Sequence, residues 1–241
     1  MAVLARDYSS AVPQLMRDMA IYFIQFRPVE RRSLYNCLIH DVQAAGLIHR
    51  VGFSTLNYEC VLEFAMLEEG LAIDYFGDAG PGSTRVWKLH GSSNMFSHGL
   101  EAGSGISYSA GVVFQGGIQA WLDPNKVISH CLAGTGLAPV MSLFMEGKPT
   151  SVSPSALQSV QKEWATAILA AKAIICVGVR PHPPDSHVWE PIANSVATLL
   201  FVGDETLFHN VLKSRRRSET VYLGSRFNVS YPELMATMMG I

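Results

Sequence analysis

At 241 residues, 49% of them hydrophobic, the chain can bury the core of one large α/β domain or of two small ones. Eighteen basic against twenty acidic residues leave a formal net charge of −2, which gives no electrostatic reason to expect nucleic acid or an anionic membrane as the main partner. The four cysteines, Cys37, Cys60, Cys131 and Cys176, lie far apart and form no CxxC pair, so neither a zinc ribbon nor a disulfide framework is expected and a reducing compartment fits best.

The amino terminus, MAVLARDYSS, lacks the apolar region of a signal peptide. No stretch reaches the roughly eighteen continuous apolar residues of a membrane span, so a soluble cytoplasmic protein is expected. Apolar side chains at helical spacing predict helices over about 11–25 and 31–45, with Pro28 as the breaker between them. HRVGFSTLNY supplies a strand at 51–56, and ECVLEFAMLEEG reads as a helix ending at Gly70. An apolar piece at 71–75 and a Gly/Pro/Ser loop at 77–84 lead into the strand RVWKLHG. Residues 92–154 show no clean period and read as an irregular insertion or small flap.

Order returns at Ser153, expected to cap a helix with Pro154 in its first turn that runs to about Ala171. A buried strand at 173–179, a helix at 187–195, a strand at 197–202, a helix at 205–212, a strand at 220–223 and a last helix from Tyr231 follow. The basic run Lys213 to Arg217 (KSRRR) reads as a solvated helix end or turn. Alternating helix and strand predict a single α/β domain over 1–241: a Rossmann-like, doubly wound, mostly parallel sheet with helices on both faces.

Three strand ends carry unusual polar residues: Thr55 through Glu59, Lys88 through Ser92, and Gly178 through His187. In a doubly wound sheet such ends share one edge, where ligands bind at the topological switch point. Each also has a plainer reading. Asn57 and Asp185 can cap the helices that follow them, Gly203 can be turn chemistry, and His90 can be a hydrogen-bonded histidine at a turn. Lys88 is expected to serve packing or a surface contact, Leu89 to point into the core, and Gly91 to let another backbone come close.

In this order, FSTLNYECVLE, VWKLHGS and AAKAIICVGVRPHPPDSHVWEPI resemble the signatures of the sirtuin-like superfamily, in particular the prokaryotic branch found in anti-phage defence. The resemblance spans roughly residues 45–205. It implies a Rossmann-like sirtuin core that takes NAD as substrate and hydrolyses it to nicotinamide and ADP-ribose. Position by position, Asn57 matches the asparagine that contacts the nicotinamide ribose and positions the attacking water, and His90 matches the histidine that acts as general base or ribose-hydroxyl partner. Thr55, Gly178, Asp185 and Gly203 join them as expected nucleotide contacts, with Gly203 and Asp204 bordering the adenosine half. The side chains suit the chemistry. An amide orients water without titrating, and an imidazole with an ordinary pKa of about 6.5 accepts a proton at neutral pH.

Two departures from the family pattern stand out. Residues 1–50 contain no G-A-G-x-S turn of the kind that cradles a pyrophosphate, so the domain reads as amino-terminally incomplete. Glu59 stands where the family has aspartate. The absence of CxxC pairs separates the chain from the zinc-bearing protein deacylases. The alternative is a catalytically impaired module that binds ADP-ribose or acts as a scaffold. Resemblance further implies a homo-oligomer or a separate sensing partner.

Overall fold

A computed structural model describes residues 11–29, 33–99, 114–134, 136–142, 150–214, 216 and 218–240. Outside these fall residues 1–10, the expected helix start at 31–32, parts of the expected insertion (100–113, 135 and 143–149), and two arginines of the basic run, at 215 and 217. The chain packs as two units, residues 1–160 and 161–241.

In the first unit, α1 (Ala11–Phe23) turns Val12, Met16 and Ala20 inward, four residues apart on one face. α2 (Leu34–Ala44) starts where the Ser33 hydroxyl accepts the Asn36 N–H. β1 (Phe53–Thr55) leads to α3 (Val61–Glu68), which is buried along most of its length and is followed by Gly70 at φ 76°. β2 (Ile73–Asp74) and β3 (Thr84–Lys88) complete a three-stranded sheet of order β1–β3–β2. Both pairings are parallel, and Thr55 lies opposite Lys88.

After β3 the chain turns at His90. Gly91 has a φ of 73°, and a Cβ there would lie 2.7 Å from the Val140 carbonyl carbon and 3.1 Å from Met141 Cα. Three backbone hydrogen bonds hold the second segment in place: Ser92 N–H to Val140 O, Ser142 N–H to His90 O and Val140 N–H to Met95 O. The close backbone neighbour expected at Gly91 is thus a piece of this chain.

Where it is described, the stretch expected to be irregular contains an antiparallel hairpin of β4 (Met95–His98) and β5 (Gly117–Ala120) and the helix α4 (Pro124–Ala133). Asp123 caps α4, and Gly134 ends it at φ 66°. Phe96, Val127 and Cys131 from this stretch pack with Ala20, Ile24, Cys60 and Phe64 in one core. Four-residue strands offer too few alternations to register as a period, which hid them in the sequence. Ser153 does not put its hydroxyl to the expected use; Oγ lies 3.0 Å from Ser97 Oγ and 3.3 Å from Gly117 O, both as acceptors.

The boundary between the units falls inside α5 (Pro154–Ala170). The second unit continues with β6 (Ala173–Val177), α6 (Ser186–Asn194), β7 (Thr198–Val202), α7 (Glu205–Leu207), a π-helical run Phe208–Lys213, β8 (Thr220–Gly224) and α8 (Phe227–Met239). The sheet order is β6–β7–β8, all parallel. Parallel neighbours need a crossover, which α6 and the segment from α7 through the π-helical run provide. Central β7 buries Leu199 through Val202 without alternation, as a strand covered on both faces should. β6 stops at Val177 because Gly178 turns to φ 66°. α8 begins four residues before the expected Tyr231; Pro232, a proline inside the helix, disguised its start.

Arg216 corrects the reading of the basic run. It is buried, and its guanidinium donates to Ile192 O, Ala197 O and the Ser218 hydroxyl. Arg216 therefore clamps the connection between α6 and β7 instead of facing solvent. The protein is mixed α/β with parallel sheets, compatible with a Rossmann-like architecture. Among the described residues no helix is long and apolar enough to cross a membrane.

Gly91→Ala combines a left-handed φ with a clash against the 140–141 backbone, so it is expected to cost about 3 kcal/mol. A urea midpoint within error of the parent would refute this account of the turn.

Candidate functional site

β1 and β3 are adjacent parallel strands, and their last residues, Thr55 and Lys88, are register partners. Two residues beyond each lie Asn57 and His90. Both candidate catalytic residues therefore leave the carboxyl ends of neighbouring strands in one sheet.

The turn after β1 is built from short-range bonds. The Thr55 hydroxyl accepts the Asn57 N–H at 3.0 Å. Asn57 is exposed, and its Nδ2 donates to Glu59 Oε1 at 2.9 Å. The other oxygen of that carboxylate accepts the Val61 N–H at 2.6 Å, satisfying a donor in the first turn of α3. Glu59, not Asn57, serves the amino terminus of that helix, so the capping reading of Asn57 is overturned. Tyr58 ties the turn to the segment after β3: its carbonyl accepts the Ser93 N–H at 2.9 Å and the Ser92 hydroxyl at 3.1 Å, and its own hydroxyl donates to Ser142 O at 2.5 Å.

Beneath the turn lies a charged pair that the sequence reading missed. Lys88 Nζ lies 2.9 Å from Glu63 Oε1, and both side chains are fully buried. Nζ also donates to the Glu59 carbonyl at 2.5 Å. Lys88 was expected to serve packing or a surface contact; it is instead a buried ammonium. Burial alone would lower its pKa, but the charge and hydrogen bond of Glu63, with Cys60 and Glu59 adding to them, outweigh this and raise it. Tyr75 donates to Glu63 Oε1 at 3.4 Å and accepts from Asn94 Nδ2 at 3.2 Å. Burial first, then the Glu63 charge, pushes the Tyr75 phenol well above its usual value.

Cys60 borders the same network, with Sγ 3.7 Å from Ser92 Oγ and 3.8 Å from Ser93 Oγ. Burial, reinforced by Glu63, pushes its thiol up to about 12. It stays protonated at neutral pH and is no nucleophile. The signal for this network was present in two places: a single glutamate in the otherwise apolar run CVLEFAML, and a lysine at an inward position of β3. Leu89 is buried, as expected. The His90 side chain is buried too, 4% exposed, and its carbonyl is bound by Ser142.

In the second unit, Gly178 and Gly203 stand just past the carboxyl ends of the adjacent strands β6 and β7. Gly178 N–H donates to Val202 O at 2.8 Å, and Gly203 N–H to Gly224 O at 2.9 Å. A Cβ at Gly178 would meet nothing within 4 Å, so its φ alone requires glycine there. At Gly203 a Cβ would lie 2.9 Å from the Phe201 ring, so packing explains that glycine. Asp204 caps α7 through the Leu207 N–H at 3.0 Å and pairs with Arg180 at 3.4 Å; the Leu207 bond first, then Arg180, lowers its pKa. Asp185 is buried at the start of α6 but makes no side-chain capping bond. Its carboxylate lies within 4.8 Å of a ring nitrogen of His187. The helix-cap reading of Asp185 is therefore overturned.

No family model matches the chain, and no curated protein matches its sequence.

Lys88→Met leaves Glu63 charged and buried without its partner, so it is expected to destabilise by about 3–5 kcal/mol. Adding Glu63→Gln removes the stranded charge and keeps an acceptor for Tyr75, so the double variant should be more stable than Lys88→Met. The reverse order of urea midpoints would show that the pair is not the source of the loss.

Alkaline pH provides a second test. Cys60 and Cys176 ionise near 9 when unfolded but only at about 12 when folded, burial being the main cause in both. Above pH 9 the unfolded state binds fewer protons than the folded one, so stability falls, by roughly 1.4 kcal/mol per pH unit for each thiol. Lys88 keeps its charge over this range, since its folded pKa is raised. Urea midpoints that stay level from pH 8 to 10.5 would contradict this assignment.

Proposed function

We propose that the protein binds NAD and hydrolyses it to nicotinamide and ADP-ribose, as a sirtuin-like domain of the kind found in prokaryotic antiviral defence. One observation carries the reading: Asn57 and His90 follow strand ends that are register partners in one parallel sheet, the edge at which open α/β sheets bind ligands.

In this mechanism the C1′–N1 bond of the nicotinamide riboside breaks, and its electron pair neutralises the pyridinium. Little acid is required, because the leaving group departs neutral. Water supplies the new C1′–O bond and gives its proton to the His90 imidazole. Asn57 orients that water or the neighbouring ribose hydroxyl. Thr55 shapes the turn that carries Asn57, since its hydroxyl already accepts the Asn57 N–H.

Chromatography of NAD incubated with the chain should show nicotinamide release, reduced at least about 100-fold in both Asn57→Ala and His90→Ala. A His90→Ala variant that cleaves as fast as the parent would remove the histidine from the mechanism. Tight ADP-ribose binding by calorimetry, with no release from the parent, would make the protein a nucleotide-binding module instead.

A further inference from the structure

We propose that Glu59 is a positioning residue that fixes the Asn57 carboxamide in one of its two orientations; this rests on the reading of Asn57 as the group that orients water or a ribose hydroxyl. A primary amide on an unrestrained side chain can exchange its oxygen and nitrogen by a half turn. An ionised carboxylate only accepts hydrogen bonds, so Glu59 Oε1 can hold Nδ2 of Asn57, at 2.9 Å, but not Oδ1. Oδ1 is then the end of the amide left to accept a hydrogen bond from water or a hydroxyl.

The carboxylate is itself held. Its Oε2 takes the Val61 N–H at 2.6 Å, and the carbonyl of the same residue takes Lys88 Nζ at 2.5 Å. The Asn57 amide is thereby tied to the buried Lys88–Glu63 pair. Side-chain length matters. Glu59 reaches forward two residues to Val61 and back two residues to the end of the Asn57 side chain. Aspartate retains the forward bond, the usual one for a short acidic side chain to the N–H two residues on, but gives up the backward one. Glutamate therefore combines a helix-capping role with a second role that aspartate lacks.

Glu59→Asp and Glu59→Gln separate these roles, read out by nicotinamide release and by the side-chain amide region of a nitrogen–proton NMR spectrum. Asn57→Ala identifies the Asn57 pair of signals by their disappearance. In Glu59→Asp the Asn57 pair is expected to move to the position of an unbound amide; in Glu59→Gln, whose one oxygen has to serve both Val61 and Asn57 and whose NH2 can meet Oδ1, the pair is expected to leave its parent position, and in both variants kcat should fall about tenfold while KM changes less than twofold. The urea midpoint of Glu59→Asp should stay at the parent value, because the bond to Val61 survives. A residue that only caps α3 would leave the Asn57 signals and the kcat of Glu59→Asp unchanged, and that result overturns the proposal. A parent that releases no nicotinamide fails the hydrolase reading alone. The NMR signals then decide Glu59: unmoved in both variants they overturn its positioning role, and displaced they sustain it.

Discussion

The fully buried ion pair between Lys88 and Glu63 governs the first unit. Removing two charges from water costs several kcal/mol per ion, which only close contact and additional hydrogen bonds offset. Lys88 lies at the end of the central strand and Glu63 in the helix α3, so the contact fixes the distance between sheet and helix. Its remaining bonds extend outward. Nζ holds the Glu59 carbonyl at the β1–α3 turn, and Tyr75 carries the network from Glu63 to Asn94, beyond the end of β3. An apolar pair of equal volume would fill the space but would have no directional hold on the turn.

The position of Asn57 follows from that hold. The turn that carries it is bound by Lys88 from below, by Glu59 and Thr55 from within, and by Ser92 and Ser93 through the Tyr58 carbonyl. The segment after β3 meets a matching constraint. Gly91 adopts a left-handed φ and lets the 140–142 backbone bond directly to His90, Ser92 and Met95. One ten-residue stretch, RVWKLHGSSN, thus provides the centre of the sheet, the buried cation and the turn that carries His90.

The second unit reaches a similar strand-end arrangement by other means. Its central strand, β7, is apolar throughout its buried part, and the fixed point is Arg216, which bonds carbonyls on both sides of the α6–β7 connection. A guanidinium suits this role because its planar fork presents several donors in fixed directions. Gly178 and Gly203 then end their strands for different reasons, one for its backbone angle and the other for the Phe201 ring.

Much of this was legible in the sequence, because periodicity and punctuation are local. The helices and parallel strands outside residues 92–154 fall close to where apolar spacing and the breakers Pro28 and Gly70 place them. Strand ends bearing Thr55, Asn57 and His90 could likewise be picked out from residue types alone. The hairpin and helix within 92–154 were not legible, since strands of four residues carry too little pattern. Only the tertiary structure decided that Lys88 and Glu63 pair, that Arg216 is buried while sitting in a basic run, and that the backbone beside Gly91 comes from residues 140–142. The physical reason is the same in each case. Whether a charge is solvated or paired, and which segment fills a space, depends on neighbours distant in the chain, and the order of residues along one segment does not encode them.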